Sequence, residues 1–430
     1  MTEMETYTDV NGEATSTAVL VRPLGAFERM YHRYMERNPI HFSVVAEFDS
    51  VVSETDIRKA LAALQERHQL LSVHVREDTN FGPGFYRFVP VPEIELTVAD
   101  YDPREWESWG ARELSIPFDR SVAPLMRAVL LRDASVATIL LSFDHTIADG
   151  ISATYVLNDL VASLNGEPLP VLPVPLSQED LIARTLPAVE ELSLPEPLPT
   201  DPRLGPVGAL RPFDATEPDV RTMTLDAAVT TQLRERCRTE KTTVHAAIVA
   251  AASRARSTLR DEEFVRVVTP FNFRRHIGAH DECADYFTCT RTGMAPHGGD
   301  DLWDQARTIG TELAEARSVP GVVATSAAVQ EFIPADADAD TAEDFMSAQL
   351  SYEVMISNLG LLDIARTGPI QPSAVWGPVL MCQADGEDVI GIVTYNDRLR
   401  MVACGHTPTG TLLEKVRTTL IEACESTTRD

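Results

Sequence analysis

Residues 136–143, Val-Ala-Thr-Ile-Leu-Leu-Ser-Phe, form an almost uninterrupted apolar run that stops abruptly at Asp144-His145-Thr146-Ile147-Ala148-Asp149-Gly150. An apolar run of this length, closed by polar turn residues, predicts a strand buried on both faces. After Gly150 the period changes. Ala153, Val156, Leu157, Leu160, Val161 and Leu164 recur at helical spacing until Asn165-Gly166 stops them. A second run at 126–131, joined by a turn at 132–135, supplies a neighbouring strand. Strand, short polar turn and helix in succession point to an α/β fold, because a doubly buried strand needs layers on both sides.

The same mixture recurs along the chain. Residues 24–35 are helix-like, Ser53 reads as an N-cap with Asp56 three residues on, and Ile57, Ala60, Leu61 and Leu64 form the apolar stripe that follows. Short strands are expected at 70–75 and 85–89. Residues 186–212, rich in proline and acidic residues and without a sustained period, read as a crossover linker. Beyond it, strands are expected at 220–225, 264–269, 352–356, 389–394 and 399–404. Helices are expected at 227–237, 244–257 (capped by Thr243) and 302–317. An acidic, alanine-rich loop occupies 334–343, and a last helix has Thr407 as N-cap and Pro408 at its first position. With 430 residues the chain is long enough for two domains. The division expected is a flexible tail at 1–17, a first domain at 18–185, the linker at 186–212 and a second domain at 213–430.

Charge narrows the function. A formal net charge of −28 argues against nucleic acid as a partner, since phosphate neutralisation needs a basic surface. No apolar run reaches the length of a membrane span, and the acidic, polar residues 1–11 lack the basic start and apolar stretch of a secretory signal. The expected location is cytoplasmic. The 6 cysteines form no CxxC pair and no cysteine-histidine group has zinc spacing, so reduced thiols and no metal are expected. No G-x-S-x-G elbow, phosphate loop or dinucleotide fingerprint is present, so neither a covalent enzyme intermediate nor a cofactor is expected.

The chemistry is concentrated at the strand-to-helix turn. A histidine at the end of a buried strand is held rigidly, and imidazole titrates near neutrality. His145 therefore reads either as a proton acceptor at a domain edge or as an interior histidine satisfied by its neighbours. Asp149 precedes the helix and is placed to order the turn by pairing with an arginine. Gly150 removes a side chain where the backbone turns.

Residues 144–150 resemble the H-H-x-x-x-D-G signature of the condensation-domain superfamily. That superfamily includes nonribosomal peptide condensation domains, plant BAHD acyltransferases, chloramphenicol acetyltransferase and the polyketide-associated acyltransferases of mycobacterial phthiocerol lipids. Asn272-Phe273-Arg274 is similar to its N-x-R element. Ser357-Asn358-Leu359-Gly360 is similar to the S-N-x-G element of the alcohol acetyltransferase and phthiocerol branch, and Thr394-Tyr395-Asn396 with Arg398-Leu399 to that branch's closing hairpin. Arg67-His68-Gln69-Leu70-Leu71 resembles an R-H-P-x-L segment. The elements follow family order over most of the chain.

The resemblance implies two chloramphenicol acetyltransferase-like subdomains in a V, with a tunnel between them. His145 would be the general base that moves an acyl group from acyl-CoA or an acyl carrier protein to an alcohol or amine acceptor. Asp149 would pair with Arg274 in a structural role. Asp144, Asn272, Ser357, Asn358 and Trp376 would line the substrate path, and Arg254, Arg256, Arg266, Arg274, Arg275 and His276 would offer local positive charge to the donor. Asp144 departs from the signature, which has a histidine there, and adjacent strand residues point to opposite faces. Two other roles on the same fold stay open: a non-catalytic docking protein for carrier-bound intermediates, and a tunnel reused for cyclisation or amide formation. A monomer is expected, since the two halves already supply both walls.

Overall fold

The computed structural model describes residues 4–8, 14–100, 102, 105–192, 201–205, 208–295, 301–349, 351–366 and 368–426. In the first half the strands are β1 (Met4–Thr8), β2 (Ala14–Pro23), β3 (His41–Phe48), β4 (Val73–Asp78), β5 (Gly82–Val89), β6 (Glu95–Asp100), β7 (Met126–Arg132) and β8 (Ala137–Asp144). The helices there are α1 (Ala26–Tyr34), α2 (Glu54–Arg67), α3 (Trp106–Leu114), α4 (Gly150–Leu164) and α5 (Gln178–Thr185). The second half has β9 (Asp219–Leu225), β10 (Val265–Asn272), β11 (Phe287–Met294), β12 (Val354–Leu361), β13 (Ala374–Leu380), β14 (Asp388–Tyr395) and β15 (Arg398–Gly405). Its helices are α6 (Ala227–Thr239), α7 (Val244–Arg260), α8 (Arg274–Ile277), α9 (Leu302–Ala316), α10 (Val319–Phe332), α11 (Ala339–Gln349) and α12 (Gly410–Glu425).

Each half is built on its own sheet. β8 lies between β3 and β7 in the order β13-β3-β8-β7-β6, and the second half carries β11-β10-β12-β14-β15-β9. A third, smaller sheet, β1-β2-β5-β4, adjoins the first half. Every residue of β8 is buried, as the apolar run requires. The architecture is the mixed α/β, two-subdomain fold expected of the sequence.

One strand ties the halves together. β13 belongs to the second half by sequence but pairs antiparallel with β3 of the first, with a register shift between Trp376 and Val379. All of its residues are buried. It passes so close to β14 that a Cβ at Gly391 would fall on the Pro378 carbonyl oxygen. One apolar core consequently runs through both halves, joining Leu140 and Phe143 to Val268, Met355 and Val379. A second lies within the second half around Ile248, Val267, Ile392 and Leu413.

Several sequence expectations are revised. The expected flexible tail contains strand: β1 pairs with β2 from Met4↔Val19 onward, in keeping with the β-branched residues of 14–19. Leu70 and Leu71 are not in a strand but in a 3₁₀ turn, Gln69–Ser72. Both are fully buried, which consecutive strand residues on a one-sided sheet would not be. Part of the acidic loop at 334–343 is the start of α11, where alanine's helix propensity prevails and Ala342 and Met346 turn inward one turn apart. The last helix is capped by Thr409, whose N–H and hydroxyl both donate to Asp219 Oδ2, two residues later than expected. Of the linker at 186–212, residues 193–200 and 206–207 lie outside the described residues.

Candidate active site

The turn after β8 is organised by its own carboxylates. Asp144 does not face the cavity beside His145. Its Oδ1 accepts from the Thr146 N–H at 3.0 Å and from the Thr146 hydroxyl at 2.6 Å, closing the turn, with Arg120 at 4.0 Å from Oδ2. Its expected place on the substrate path is therefore withdrawn. The strand alternation that sends Asp144 to one side sends His145 to the other.

Asp149 caps α4, accepting from the Ser152 N–H at 2.7 Å. Its other oxygen accepts from Arg274 Nη1 at 2.7 Å and from the Tyr286 N–H at 2.9 Å. Arg274 also donates to the Ala284 carbonyl and stacks over Tyr286. Burial alone would raise the Asp149 carboxyl, but the Arg274 guanidinium and the two N–H donors outweigh it and hold it below the ordinary carboxylate range. The ion pair joins the start of α4 in the first half to α8, which follows β10, in the second. Gly150 owes its identity to a close approach rather than to a turn: a Cβ there would lie 2.6 Å from Leu359 Cδ2 of β12.

His145 lies at this seam, 7% exposed. Its ring stacks on Tyr31 of α1, with centroids 4.7 Å apart and planes 14° from parallel, and is flanked by Phe42 and Phe287 at 5.0 and 5.2 Å. The ring lines a cavity of about 70 Å³ whose walls come from both halves, among them Tyr31, Asn272, Phe287, Ser357, Asn358 and Pro378. Nδ1 points the other way, to Asp285 Oδ1 at 3.6 Å.

Three of the expected lining residues are thus on the cavity. Asn272 uses its Oδ1 to accept from the Arg274 N–H, and Asn358 uses its Oδ1 to accept from the Gly360 N–H. The Asn358 Nδ2 and the Ser357 hydroxyl have no hydrogen-bond partner among the described residues, so both remain available to a ligand oxygen. Trp376 is not on the cavity. It packs against Trp106, and both indole N–H groups donate to Glu47 Oε1, at 2.6 and 3.1 Å. This is the core of the crossing strand, where the aromatic was expected on the acceptor side.

Residues 28–179 match the Condensation domain family. Over 149 residues the chain is 31% identical to surfactin synthase subunit 2 of Bacillus subtilis (strain 168), covering 34% of this chain and 4% of that protein. The chain thus spans only a small part of the curated relatives it matches. Across its length it is similar to the structure of polyketide synthase associated protein 5 from Mycobacterium tuberculosis, with TM-score 0.67, 18% identity, and 95% and 98% of the two chains covered. It is equally similar to the first condensation domain of the CDA synthetase, with TM-score 0.67, 15% identity, and 94% and 97% covered. The family match thus covers residues 28–179, and over its whole length the chain shares the fold of these condensation-type structures.

Within this condensation-type fold a second cavity adjoins the first. It has a volume of about 440 Å³ and is lined by α1, β11, α10 and α11, with Phe27, Met30, Ala328, Val329, Phe345 and Met346 giving it a mainly apolar wall. Tyr31 and Cys289 border both cavities. The arginine patch expected for the donor is largely committed elsewhere. Arg256 pairs with Glu262 and Asp388, Arg266 with Glu353, and Arg274 with Asp149. No helix among the described residues is long and apolar enough to cross a membrane.

Sequence reasoning missed two residues here. Tyr31 carries no signal beyond the apolar face of α1. Asp285 stands between Ala284 and Tyr286 in a segment without period, and only its burial beside His145 sets it apart.

Proposed function

We propose that the chain is an acyltransferase in which His145 is the general base. The observation that carries this reading is the position of one imidazole. It is stacked and oriented at the seam of the two halves, with one nitrogen turned to a buried carboxylate and the ring bordering a cavity built from both halves. The acceptor is a hydroxyl or an amine, and the donor is a thioester on coenzyme A or an acyl carrier protein. Nε2 takes the acceptor proton as its oxygen or nitrogen bonds to the thioester carbonyl carbon. The carbonyl oxygen becomes an oxyanion, and the Ser357 hydroxyl and Asn358 Nδ2 are the free donors on the cavity wall that would meet it. As the oxyanion reforms the carbonyl, the carbon–sulfur bond breaks and the thiolate receives the proton from His145. Ester or amide and free thiol are the products, and no cofactor enters the balance.

The second cavity suits an apolar acyl or polyketide tail, which accords with the similarity to a polyketide synthase associated protein and to condensation domains. A different reuse of the cavity, for cyclisation or an amide-forming condensation, is the other reading, and it is favoured if product formation is unchanged in His145→Ala. The narrowness of the cavity at His145 favours one rival, a docking protein without turnover. Intact mass spectrometry of products from a panel of acyl-CoA and acyl-carrier thioesters with alcohol and amine acceptors separates these. Turnover that falls about 10²–10⁴-fold in His145→Ala supports the base role, turnover unchanged by the substitution refutes it, and carrier binding without turnover in either form supports docking.

A further inference from the structure

Asp285 lies between α8 and β11, and its side chain is wholly buried. Neither carboxylate oxygen accepts a hydrogen bond from a described residue, and the facing Nδ1 of His145 is likewise buried and unpartnered. Each of the other buried carboxylates among the described residues accepts at least one hydrogen bond, although Glu179, met by the Phe27 N–H at Oε1, leaves its Oε2 unpartnered. Asp149 has Arg274 and two N–H donors, Asp159 has Arg67 and His68, Glu113 has Arg127 and Ser142, and Asp388 has Arg256. A buried carboxylate without donors weakens the fold. Its presence here is therefore not accounted for by packing, and the group it faces is the histidine at the cavity.

Stacking on Tyr31 and contact with Phe42 and Phe287 fix the plane of the His145 ring. Stacking does not decide which ring nitrogen carries the proton. That choice is set by the partner of the nitrogen turned away from the reaction. We infer that Asp285 is a positioning residue whose carboxylate accepts the Nδ1 proton of His145, leaving Nε2 bare toward the cavity. The 3.6 Å separation is slightly longer than a hydrogen bond, as such contacts often are before substrate binds. When Nε2 takes a proton from the acceptor, the same carboxylate favours the imidazolium that results. Burial pushes the Asp285 carboxyl up to about 7, with His145 pulling it down, so above that pH the carboxylate is charged and ready to accept. The other titratable and charged groups acting on this pair are Glu28 and Tyr31 from α1, Asp149 at the start of α4, and Cys283 beside it.

The rate consequence rests on His145 being the base, whereas the tautomer does not, so the two are read separately. In the full chain carrying ¹⁵N-histidine, with His145→Ala assigning the signal, the wild-type ring at about pH 8 should show Nδ1 protonated and Nε2 bare. In Asp285→Ala the Nε2–H form should gain population, and the isosteric Asp285→Asn, whose amide offers Nδ1 a donor, should shift the same way. For turnover, Asp285→Asn should lower kcat at least tenfold with KM within about twofold, while its Tm at that pH rises by a few degrees. A wild-type ring protonated at Nε2, or a tautomer indifferent to Asp285, overturns the inference. So does a kcat loss that merely follows a fall in Tm. If the tautomer depends on Asp285 but His145→Ala turns over like wild type, the positioning stands and the acyl-transfer reading fails.

Discussion

Two buried carboxylates flank His145, and they are treated in opposite ways. Asp149 receives a guanidinium and two backbone N–H groups, and its charge is held below the ordinary carboxylate range. Asp285 receives no hydrogen bond from a described residue, only an imidazole nitrogen at 3.6 Å, and burial pushes it up to about 7. The contrast separates two uses of a buried charge. Where every lone pair is met, the charge serves to join elements, here α4 to α8. Where none is met, the group weakens the fold, and its retention is explained by what it does to its neighbour.

Removing the satisfied carboxylate should have the largest effect on stability. Asp149→Ala leaves Arg274 buried without its partner, which typically costs about 3–5 kcal/mol, read as a lower midpoint in urea unfolding. Its pH dependence has a definite sign. A carboxyl lowered by folding contributes stability that is present above its unfolded pKa and lost as pH falls through the folded one. The gap between wild type and Asp149→Asn should therefore narrow in acid.

Removing the unsatisfied carboxylate should act in the other direction. A carboxyl raised by folding from 3.8 to about 7 costs nothing below its unfolded pKa; the cost grows as pH rises between the two values and is fully present above about 7. Asp285→Asn should therefore gain stability on the order of a few kcal/mol near pH 8 and little in acid, even as catalysis declines. Loss of stability at both pH values would erase the contrast. The smallest effect should come from Gly150→Ala. The new Cβ meets the flexible end of Leu359 rather than backbone, so about 1 kcal/mol is expected, with the accompanying change read in KM because Leu359 also borders the cavity.

What the sequence made legible follows from how local each feature is. The buried β8, the turn and α4 were readable because period and capping are properties of neighbouring residues, and Ser53 and Thr243 cap the helices that follow them as their neighbours imply. The Asp149–Arg274 pair spans 125 positions, and resemblance rather than spacing suggested it. β13 was not foreseen, since its partner β3 lies far away in sequence. Trp376 was misplaced for the same reason, because an aromatic before Gly-Pro looks alike whether it faces a cavity or fills a crossing strand. Asp285 was invisible because an isolated aspartate carries no period, and its meaning lies wholly in lacking partners in three dimensions. Gly150 was noticed for the wrong reason, as the close approach to Leu359 comes from the other half of the chain.

The central claim is that the His145 imidazole accepts the acceptor's proton during acyl transfer. The most direct test is the pH dependence of kcat/KM for one productive thioester and acceptor pair, in wild type and in His145→Ala. A base must be unprotonated to act, so the wild-type value should fall tenfold per pH unit on the acid side, and the variant's small residual rate should lack that limb. An acid limb of the same midpoint and slope in both proteins would place the proton acceptor elsewhere and contradict the account.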